Sequence, residues 1–220
     1  MMAARNLHIP LSLDDVSSLK VGDVVHLNGL IFTGAAFFHE RAKNGILPLI
    51  DFSRTNVLLH VHPMMKKIGE ETVLFALGPT SSIAFDSYAP DFIRRLKVRA
   101  ILGKTTMGQA TMKVMQEIGC VHLSRVGSPE NTLAAKTKKV HDIFYNDDTN
   151  TYEEATLLIE VEDFGPFIVD IDTHGNNLFY QLEQEVDKKM KVLYARFGID
   201  EDFRYLDSVS SKKWQEALRE

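Results

Sequence analysis

The sequence has little cysteine, no long apolar run and no excess of positive charge. Cys120 is the only cysteine among 220 residues. A chain with one cysteine forms no internal disulfide, and it cannot by itself hold an iron–sulfur cluster or a zinc–thiolate site. This cysteine usage is typical of a reducing compartment, so we expect a cytoplasmic protein.

The apolar residues and the charges are those of a water-soluble globular chain. No segment approaches the roughly eighteen consecutive apolar residues of a membrane span. Residues 1–12 lack the apolar core of a secretory signal. The net charge of −5 argues against nucleic acid or an anionic membrane as a general partner, because both attract basic surfaces. It does not exclude a small anionic ligand, which needs only a local positive site.

The chain is long enough for one domain with extensions. We predict an N-terminal arm over residues 1–20, with an edge strand around residues 9–13, a domain over 21–182, and a helical extension over 183–220. Apolar runs alternate with helical periodicity in the first half of the chain, which predicts an α/β layered domain. The helices predicted to cover one face of its central sheet are residues 35–44, 88–97 and 109–118. Further along the chain the pattern predicts a basic helix over 131–140, strands over 155–161 and 167–171, and surface helices over 181–195 and 211–218.

A cluster of hydroxyl side chains follows an apolar run that predicts a short buried strand. Residues 73–77 are apolar, a Gly–Pro pair breaks the run, and Thr80, Ser81 and Ser82 come next. Turns at the ends of buried strands are where α/β proteins tend to bind ligands, because backbone N–H groups and short polar side chains face open space there. The alternative is that these hydroxyls only satisfy the hydrogen bonds of a turn.

A second unit of the same design lies about twenty residues further along the chain. Residues 98–102 are apolar, and the polar turn 103–108, which contains Lys104, leads into a helical pattern. Two such units could direct their loops at one ligand, and Lys104 would then be a binding or catalytic cation. Taken alone, Lys104 has the simpler interpretation of a solvated loop lysine.

Two histidines in another predicted strand have two interpretations. His60 and His62 are two residues apart, so they share a strand face and could form a metal pair. We favour an exposed or hydrogen-bonded strand face, because no carboxylate or cysteine is spaced to complete a metal site. We therefore predict no metal site on this chain.

Four segments, in this order, resemble the β subunit, or C-terminal domain, of the class I fumarase and L(+)-tartrate dehydratase family. They are residues 21–34 with His39 beyond them, 78–86, 101–104 and 161–170. The resemblance implies a swivelling β/β/α domain. It also implies a partner α subunit whose three cysteines hold an oxygen-sensitive [4Fe–4S] cluster, with a small carboxylic acid bound between the two parts. A homodimer of the chain is a further expectation.

The resemblance also implies roles for individual residues. Thr80 matches the threonine proposed in the family as the catalytic base. A hydroxyl is a poor base on its own, and it needs a positive field and a dry site, which Lys104 could help to supply. The residues expected on the substrate side are Thr33, His39, Ser81 and Asp86, of which Asp86 would orient rather than react.

The chain departs from the family pattern at two positions. The family usually reads TGRD and GPTT-(A/S)-GRMD, and the two arginines expected to bind a dicarboxylate are Ala35 and Ala84 here. A charge-assisted contact of this kind contributes about 1.5–3 kcal/mol. We predict an iron–sulfur-dependent hydro-lyase subunit acting on a small hydroxy acid. The alternatives are a catalytically impaired binding or regulatory subunit and a stand-alone small-molecule-binding domain.

Overall fold

A mixed sheet is the framework of the protein. The computed structural model describes residues 4–69, 71–125, 127, 129–145, 152, 154–200 and 203. The chain divides after Leu178 into two compact units. The elements of the first unit are β1 (Ala4–His8), α1 (Leu13–Ser17), β2 (Val24–Gly34), α2 (Ala36–Lys43), β3 (Val57–His60), β4 (Met64–Ile68), β5 (Glu71–Ala76), a 3₁₀ turn (Ser82–Phe85), α3 (Ala89–Leu96), β6 (Ala100–Gly103), α4 (Gln109–Ile118), β7 (Val121–Arg125), α5 (Glu130–Ala135), β8 (Thr137–Phe144) and β9 (Thr156–Ile171).

The second unit contains nearly all of one long helix, α6 (Leu178–Phe197). This helix covers the one predicted over residues 181–195, whereas the helix predicted over 211–218 lies outside the described residues. None of the helices in the described part of the chain is long and apolar enough to cross a lipid bilayer.

The main sheet closes on itself. In the described residues its strand order is β1-β2-β3-β6-β7-β9-β8, and β2 also pairs with β9. Strands β1, β2, β3, β6 and β7 are parallel, and β9 runs antiparallel to both β7 and β2. Five strands, β2, β3, β6, β7 and β9, therefore form a barrel. The predicted α/β class is confirmed, but the sheet is closed rather than an open layer.

The length of β9 accounts for this closure. The sequence pattern predicted two strands, 155–161 and 167–171, where the structure has one strand of 16 residues. Asp163 and Gly165 have positive φ values of 50° and 156°, and they lie between the two predicted segments. The strand thus continues through a local irregularity at these two residues, where the apolar pattern predicted a break.

Two further predictions were wrong, one about the burial of a strand and one about secondary structure. Residues 73–77 were expected to form a buried strand, but β5 pairs antiparallel with β4 in a separate two-stranded sheet, and Phe75 is 46% exposed. Residues 131–140 were expected to be a basic helix, but α5 ends at Ala135 and β8 begins at Thr137. In both places, antiparallel pairing with the neighbouring strand, β4 for β5 and β9 for β8, overrides the local pattern.

The N-terminal segment contributes to the core. The edge strand expected around residues 9–13 lies earlier, at β1, which pairs with β2. Helix α1 begins with a capping box between Ser12 and Asp15. The buried apolar residues of this segment are Leu7, Leu11, Val16 and Leu19. The domain limits at residues 20 and 182 stay a prediction.

The parallel strands place four connections at one edge of the sheet. Strands β2, β3, β6 and β7 all end at this edge, at Gly34, His60, Gly103 and Arg125. The carboxyl ends of parallel strands are the usual location of ligand sites in α/β proteins. The two loops singled out in the sequence both lie here.

We expect Gly165→Ala to destabilise the fold by about 2–4 kcal/mol, because it adds steric overlap to an unfavourable backbone conformation. A Cβ atom at Gly165 would lie 2.7 Å from the Val25 carbonyl oxygen. Gly45→Ala is the matched control, since Gly45 also has positive φ but open space around it. Urea unfolding gives the free energy of unfolding of both variants. Equal losses would show that the contact with β2 contributes nothing.

Candidate active site

The two polar loops are joined by backbone hydrogen bonds, as their spacing in the sequence predicted. The N–H of Lys104 donates to the Thr80 carbonyl over 3.1 Å, and the N–H of Ser82 donates to the Lys104 carbonyl over 2.9 Å. The N–H of Thr80 donates to the carbonyl of His60, at the end of β3, over 2.8 Å. Ser81 and Lys104 are bridge partners, so the two side chains project to the same side. Thr80 and Ser81 are partly exposed, and Lys104 is exposed.

A chain of buried polar side chains lies directly beneath this loop pair. The Ser82 Oγ is 2.9 Å from His60 Nδ1 and 2.8 Å from His122 Nε2. The His122 Nδ1 is 2.6 Å from the Asp170 Oδ1. All four side chains are fully buried. We call this set, His60–Ser82–His122–Asp170, the buried relay; it connects the hydroxyl loop to β3, β7 and β9.

Sequence reasoning missed the buried relay. The signal was present: His60, His122 and Asp170 are polar residues inside apolar strands. A buried polar group needs a partner, so such residues predict contacts with one another. The sequence does not say which of them meet, because His122 and Asp170 are 48 residues apart.

Gly103 allows the hydroxyl loop to lie against β6. A Cβ atom at Gly103 would lie only 1.9 Å from the Ser82 Oγ, so no residue larger than glycine fits at this position. Thr105, two residues later, has a φ of 64°, and its carbonyl accepts a hydrogen bond from Ser124 Oγ over 2.8 Å. The β6 loop is therefore held in an unfavourable conformation by its surroundings.

Asp86 fixes the start of α4. Its Oδ1 accepts a hydrogen bond from the Gly108 N–H over 2.7 Å, and its carbonyl accepts one from Thr111 Oγ1 over 3.2 Å. Gly108 is the N-cap residue of α4, where backbone N–H groups lack helical partners. This contact agrees with an orienting role for Asp86, and its role in substrate binding stays a prediction.

Thr33 and His39 lie in the interior. The Thr33 Oγ1 accepts a hydrogen bond from the Leu157 N–H over 2.8 Å and links β2 to β9. His39 is fully buried, stacks on Phe85 with ring centroids 4.6 Å apart, and lies 5.0 Å from the His60 ring. Neither ring nitrogen of His39 has a hydrogen-bond partner among the described residues. The structure thus does not bring these two side chains to the exposed loop pair, and their substrate-binding roles stay predictions.

Burial keeps His39 and His60 uncharged at neutral pH. It lowers the pKa of His39 to about 3. Burial, followed by repulsion from His39 and His122, also holds the pKa of His60 well below its usual range. Lys104, which is exposed, is the cation that the loop pair itself presents to an anion.

The two alanines at the expected arginine positions have different surroundings. Ala35 is fully buried at the start of α2. Ala84 is exposed on the 3₁₀ turn that follows the hydroxyl loop. A longer side chain could extend into solvent from Ala84, whereas at Ala35 it would displace the core.

His60 and His62, the candidate metal pair, do not form a metal site in the part of the chain that the structure describes. Within the residues that the structure describes, no cluster of three or more His, Cys, Asp or Glu side chains could hold a metal ion. His60 is in the buried relay, and the His62 Nε2 is 3.2 Å from Glu154 Oε1, so the two histidines do not act as a pair. Cys120 is buried, and burial raises the pKa of its thiol. An iron–sulfur cluster does not fit these residues.

The burial of His39 predicts a pH-dependent stability. The unfolded chain protonates this ring near pH 6.5 and the folded chain only near pH 3, so stability falls as the pH falls between these values. When the pH is lowered from 7 to 5, the free energy of unfolding should fall by about 2 kcal/mol more in the wild type than in His39→Leu. Urea unfolding at both pH values measures the difference. His8→Leu, at an exposed histidine, is the control; equal pH dependence in all three proteins would contradict the prediction.

Known proteins resemble this chain over most of its length. Residues 3–182 match the family described as Fumarase C-terminus. A provisionally named L(+)-tartrate dehydratase subunit beta of Methanocaldococcus jannaschii is 33% identical over 187 residues, which cover 83% of this chain and 95% of that protein. The L(+)-tartrate dehydratase subunit beta of Escherichia coli K12 is 28% identical over 172 residues, covering 78% and 85%. A provisionally named class I fumarate hydratase of Geobacillus stearothermophilus is 31% identical over 187 residues, which cover 84% of this chain but 35% of that protein.

These matches confirm the resemblance drawn from the four segments. The matched residues 3–182 include the closed sheet, both polar loops and the buried relay. The chain therefore belongs to the fumarase C-terminus family.

Proposed function

We propose that this chain is the β subunit of a hydro-lyase that adds or removes water on a small hydroxy acid. The observation that carries the proposal is the joining of the Thr80–Ser82 loop to Lys104 at the carboxyl edge of the parallel strands. The relatives named as tartrate dehydratase subunits and as a class I fumarate hydratase support the same reaction class.

The chemistry divides between a proton acceptor and a cation. In this proposal the Thr80 oxygen, as its alkoxide, takes the proton from the carbon next to a substrate carboxylate, and the hydroxyl group on the adjacent carbon leaves with its electron pair toward the partner side of the site. The Lys104 ammonium binds the carboxylate. A nearby ammonium stabilises the negative charge that develops when the proton leaves. Ser81 shares the side of the bridge from which Lys104 projects, so its hydroxyl can donate a hydrogen bond to the same carboxylate.

A partner completes this site. Thr80 is only partly buried and Lys104 is exposed, yet a hydroxyl acts as a base only where water is excluded. We propose that an α subunit covers the loop pair and carries the [4Fe–4S] cluster, since Cys120 is unsuited to ligate one. The family domain would then swivel as a unit against this partner. A cytoplasmic location and a homodimer are further parts of the proposal.

The alternative is a binding or regulatory subunit without its own hydro-lyase activity. The observation that favours it is the absence of a guanidinium at Ala84, on the exposed turn beside the hydroxyl loop. Losing a charge-assisted contact with a dicarboxylate weakens binding by about tenfold to a hundredfold. Activity of the assembled protein distinguishes the two functions.

We expect Thr80→Ala and Lys104→Ala each to lower turnover by about 10²–10⁴-fold, because they remove the base and the cation that stabilises charge. The assay is hydration of fumarate and mesaconate and dehydration of tartrate by the complex purified without oxygen from its native cells. Lys113→Ala, at an exposed lysine on α4, is the matched control and should keep full activity. An inactive unmutated complex would favour the regulatory subunit, and full activity in both variants would exclude the assigned roles.

An arginine restored at Ala84 should improve dicarboxylate binding. Because Ala84 is exposed beside the loop pair, Ala84→Arg should tighten binding of fumarate or tartrate about tenfold or more, measured by calorimetry on the assembled protein. Ala110→Arg, at another exposed alanine, should leave the affinity unchanged. Ala35→Arg should instead lower the free energy of unfolding, because Ala35 is fully buried. Equal affinities for the Ala84 and Ala110 variants would place the substrate elsewhere.

A further inference from the structure

We propose that Ser82, held between the imidazoles of His60 and His122, is the positioning residue of the Thr80–Lys104 loop pair. The proposal rests on the proposed function only for the catalytic roles of Thr80 and Lys104. Ser82 itself touches no substrate, because its side chain is fully buried. It acts through Thr80, two residues earlier, and through Lys104, whose carbonyl accepts the Ser82 N–H.

One residue of β3, His60, holds the hydroxyl loop through both its backbone and its side chain. The carbonyl of His60 accepts the Thr80 N–H, and the ring of His60 contacts the Ser82 Oγ. The second imidazole, from His122 on β7, holds the same hydroxyl from another strand. Because the two rings come from different strands, the hydroxyl cannot rotate without breaking one contact. The backbone of Thr80 is therefore held at its own N–H, by the His60 carbonyl, and two residues later at Ser82.

The packing around Ser82 supports the same role. The hydroxyl occupies the space that any side chain on Gly103 would need. The loop and β6 thus approach as closely as a glycine allows, and the Thr80–Lys104 hydrogen bond forms across this contact. Preorganised geometry of this kind is what a reacting group needs, since small displacements reduce catalysis strongly.

The hydrogen bonds of the buried relay have one favoured direction. A buried charge without compensation costs more than one unpaired buried N–H. The Asp170 carboxyl and His122 therefore share a proton between them, which makes the His122 Nε2 a donor to Ser82. The Ser82 hydroxyl then donates to the His60 Nδ1. The N–H of His60 is left at Nε2, which has no hydrogen-bond partner among the described residues. The rings of His39 and Phe85 pack against the His60 ring, with centroids 5.0 and 4.9 Å from its centroid.

This direction leaves the Ser82 hydroxyl with no proton to donate to another group. Its hydroxyl accepts from one imidazole and donates to the other, so it is neither a nucleophile nor a substrate ligand. Removing the hydroxyl should release the loop while the barrel stays closed. The effect is therefore local, which separates positioning from a general contribution to stability.

The test is amide hydrogen exchange followed by NMR on the full chain. In Ser82→Ala, exchange at the Thr80, Ser82 and Lys104 amides should become about tenfold faster or more, relative to the Leu157 amide in the barrel. Ser82→Cys should recover part of the protection, because the thiol is a weak donor and acceptor. Ser87→Ala, at an exposed serine in the following segment, is the control and should change none of these rates. Unchanged or uniformly raised rates in Ser82→Ala would overturn the proposal.

A measurement on the unmutated chain covers the case in which Ser82→Ala fails to fold. Ring-nitrogen NMR should show His60 with its proton on Nε2 and with Nδ1 accepting a hydrogen bond. A proton on His60 Nδ1 would overturn the direction of the relay, and the absence of a hydrogen bond at Nδ1 would overturn the contact with Ser82 itself.

Neither NMR readout requires a substrate, so the proposal can fail separately from the hydro-lyase function. In the assembled protein, Ser82→Ala should lower kcat by about tenfold or more with little change in KM, because the loss concerns the alignment of Thr80. An inactive unmutated complex with a locally loosened Ser82→Ala loop would reject the hydro-lyase and keep the positioning role. An active complex whose Ser82→Ala variant keeps full kcat would support the hydro-lyase function and reject the positioning role of Ser82.

Discussion

The contact between the Ser82 hydroxyl and two buried imidazoles is the interaction on which the candidate active site depends. It fastens a surface loop to the interior of a closed barrel, where apolar packing alone could not fix the direction of a side chain. The buried relay is only partly satisfied, since the His60 Nε2 and the Asp170 Oδ2 have no hydrogen-bond partner among the described residues. Polar groups of this kind cost stability, so their presence beneath the loop pair indicates a purpose other than stability.

The pairing of β9 with β7 is what makes the His122–Asp170 contact of the buried relay possible. β9 pairs with β7 through its last residues and with β2 along most of its length. In the β7 ladder, Val169 lies opposite Leu123 and Ile171 lies opposite His122. Asp170 lies between these pairs, which places its carboxyl beside the His122 ring. An open sheet without this pairing would leave His122 with no acceptor.

The sequence predicts local features of this protein better than long-range ones. The hydroxyl cluster, Lys104 and the helices α2, α3 and α4 follow from short patterns, because turn residues and helical periodicity are encoded locally. The separate β4–β5 hairpin does not, since an apolar run such as residues 73–77 is equally compatible with a central strand and with an amphipathic hairpin. The buried relay could not be assembled either, because the pairing of His122 with Asp170 depends on the course of β9.

The two alanines help to decide how this site can recognise an anion. Ala35 is buried, and burial keeps His39 and His60 uncharged at neutral pH, so these three residues offer no positive charge to a carboxylate. Lys104 is then the cation that the loop pair itself presents, and a single ammonium binds one carboxylate more readily than two. A dicarboxylate would need a second cation besides Lys104, whereas a monocarboxylic hydroxy acid would not. The chemistry of the loop pair therefore favours either a substrate with one carboxylate or a shared site in which the partner contributes the other contact.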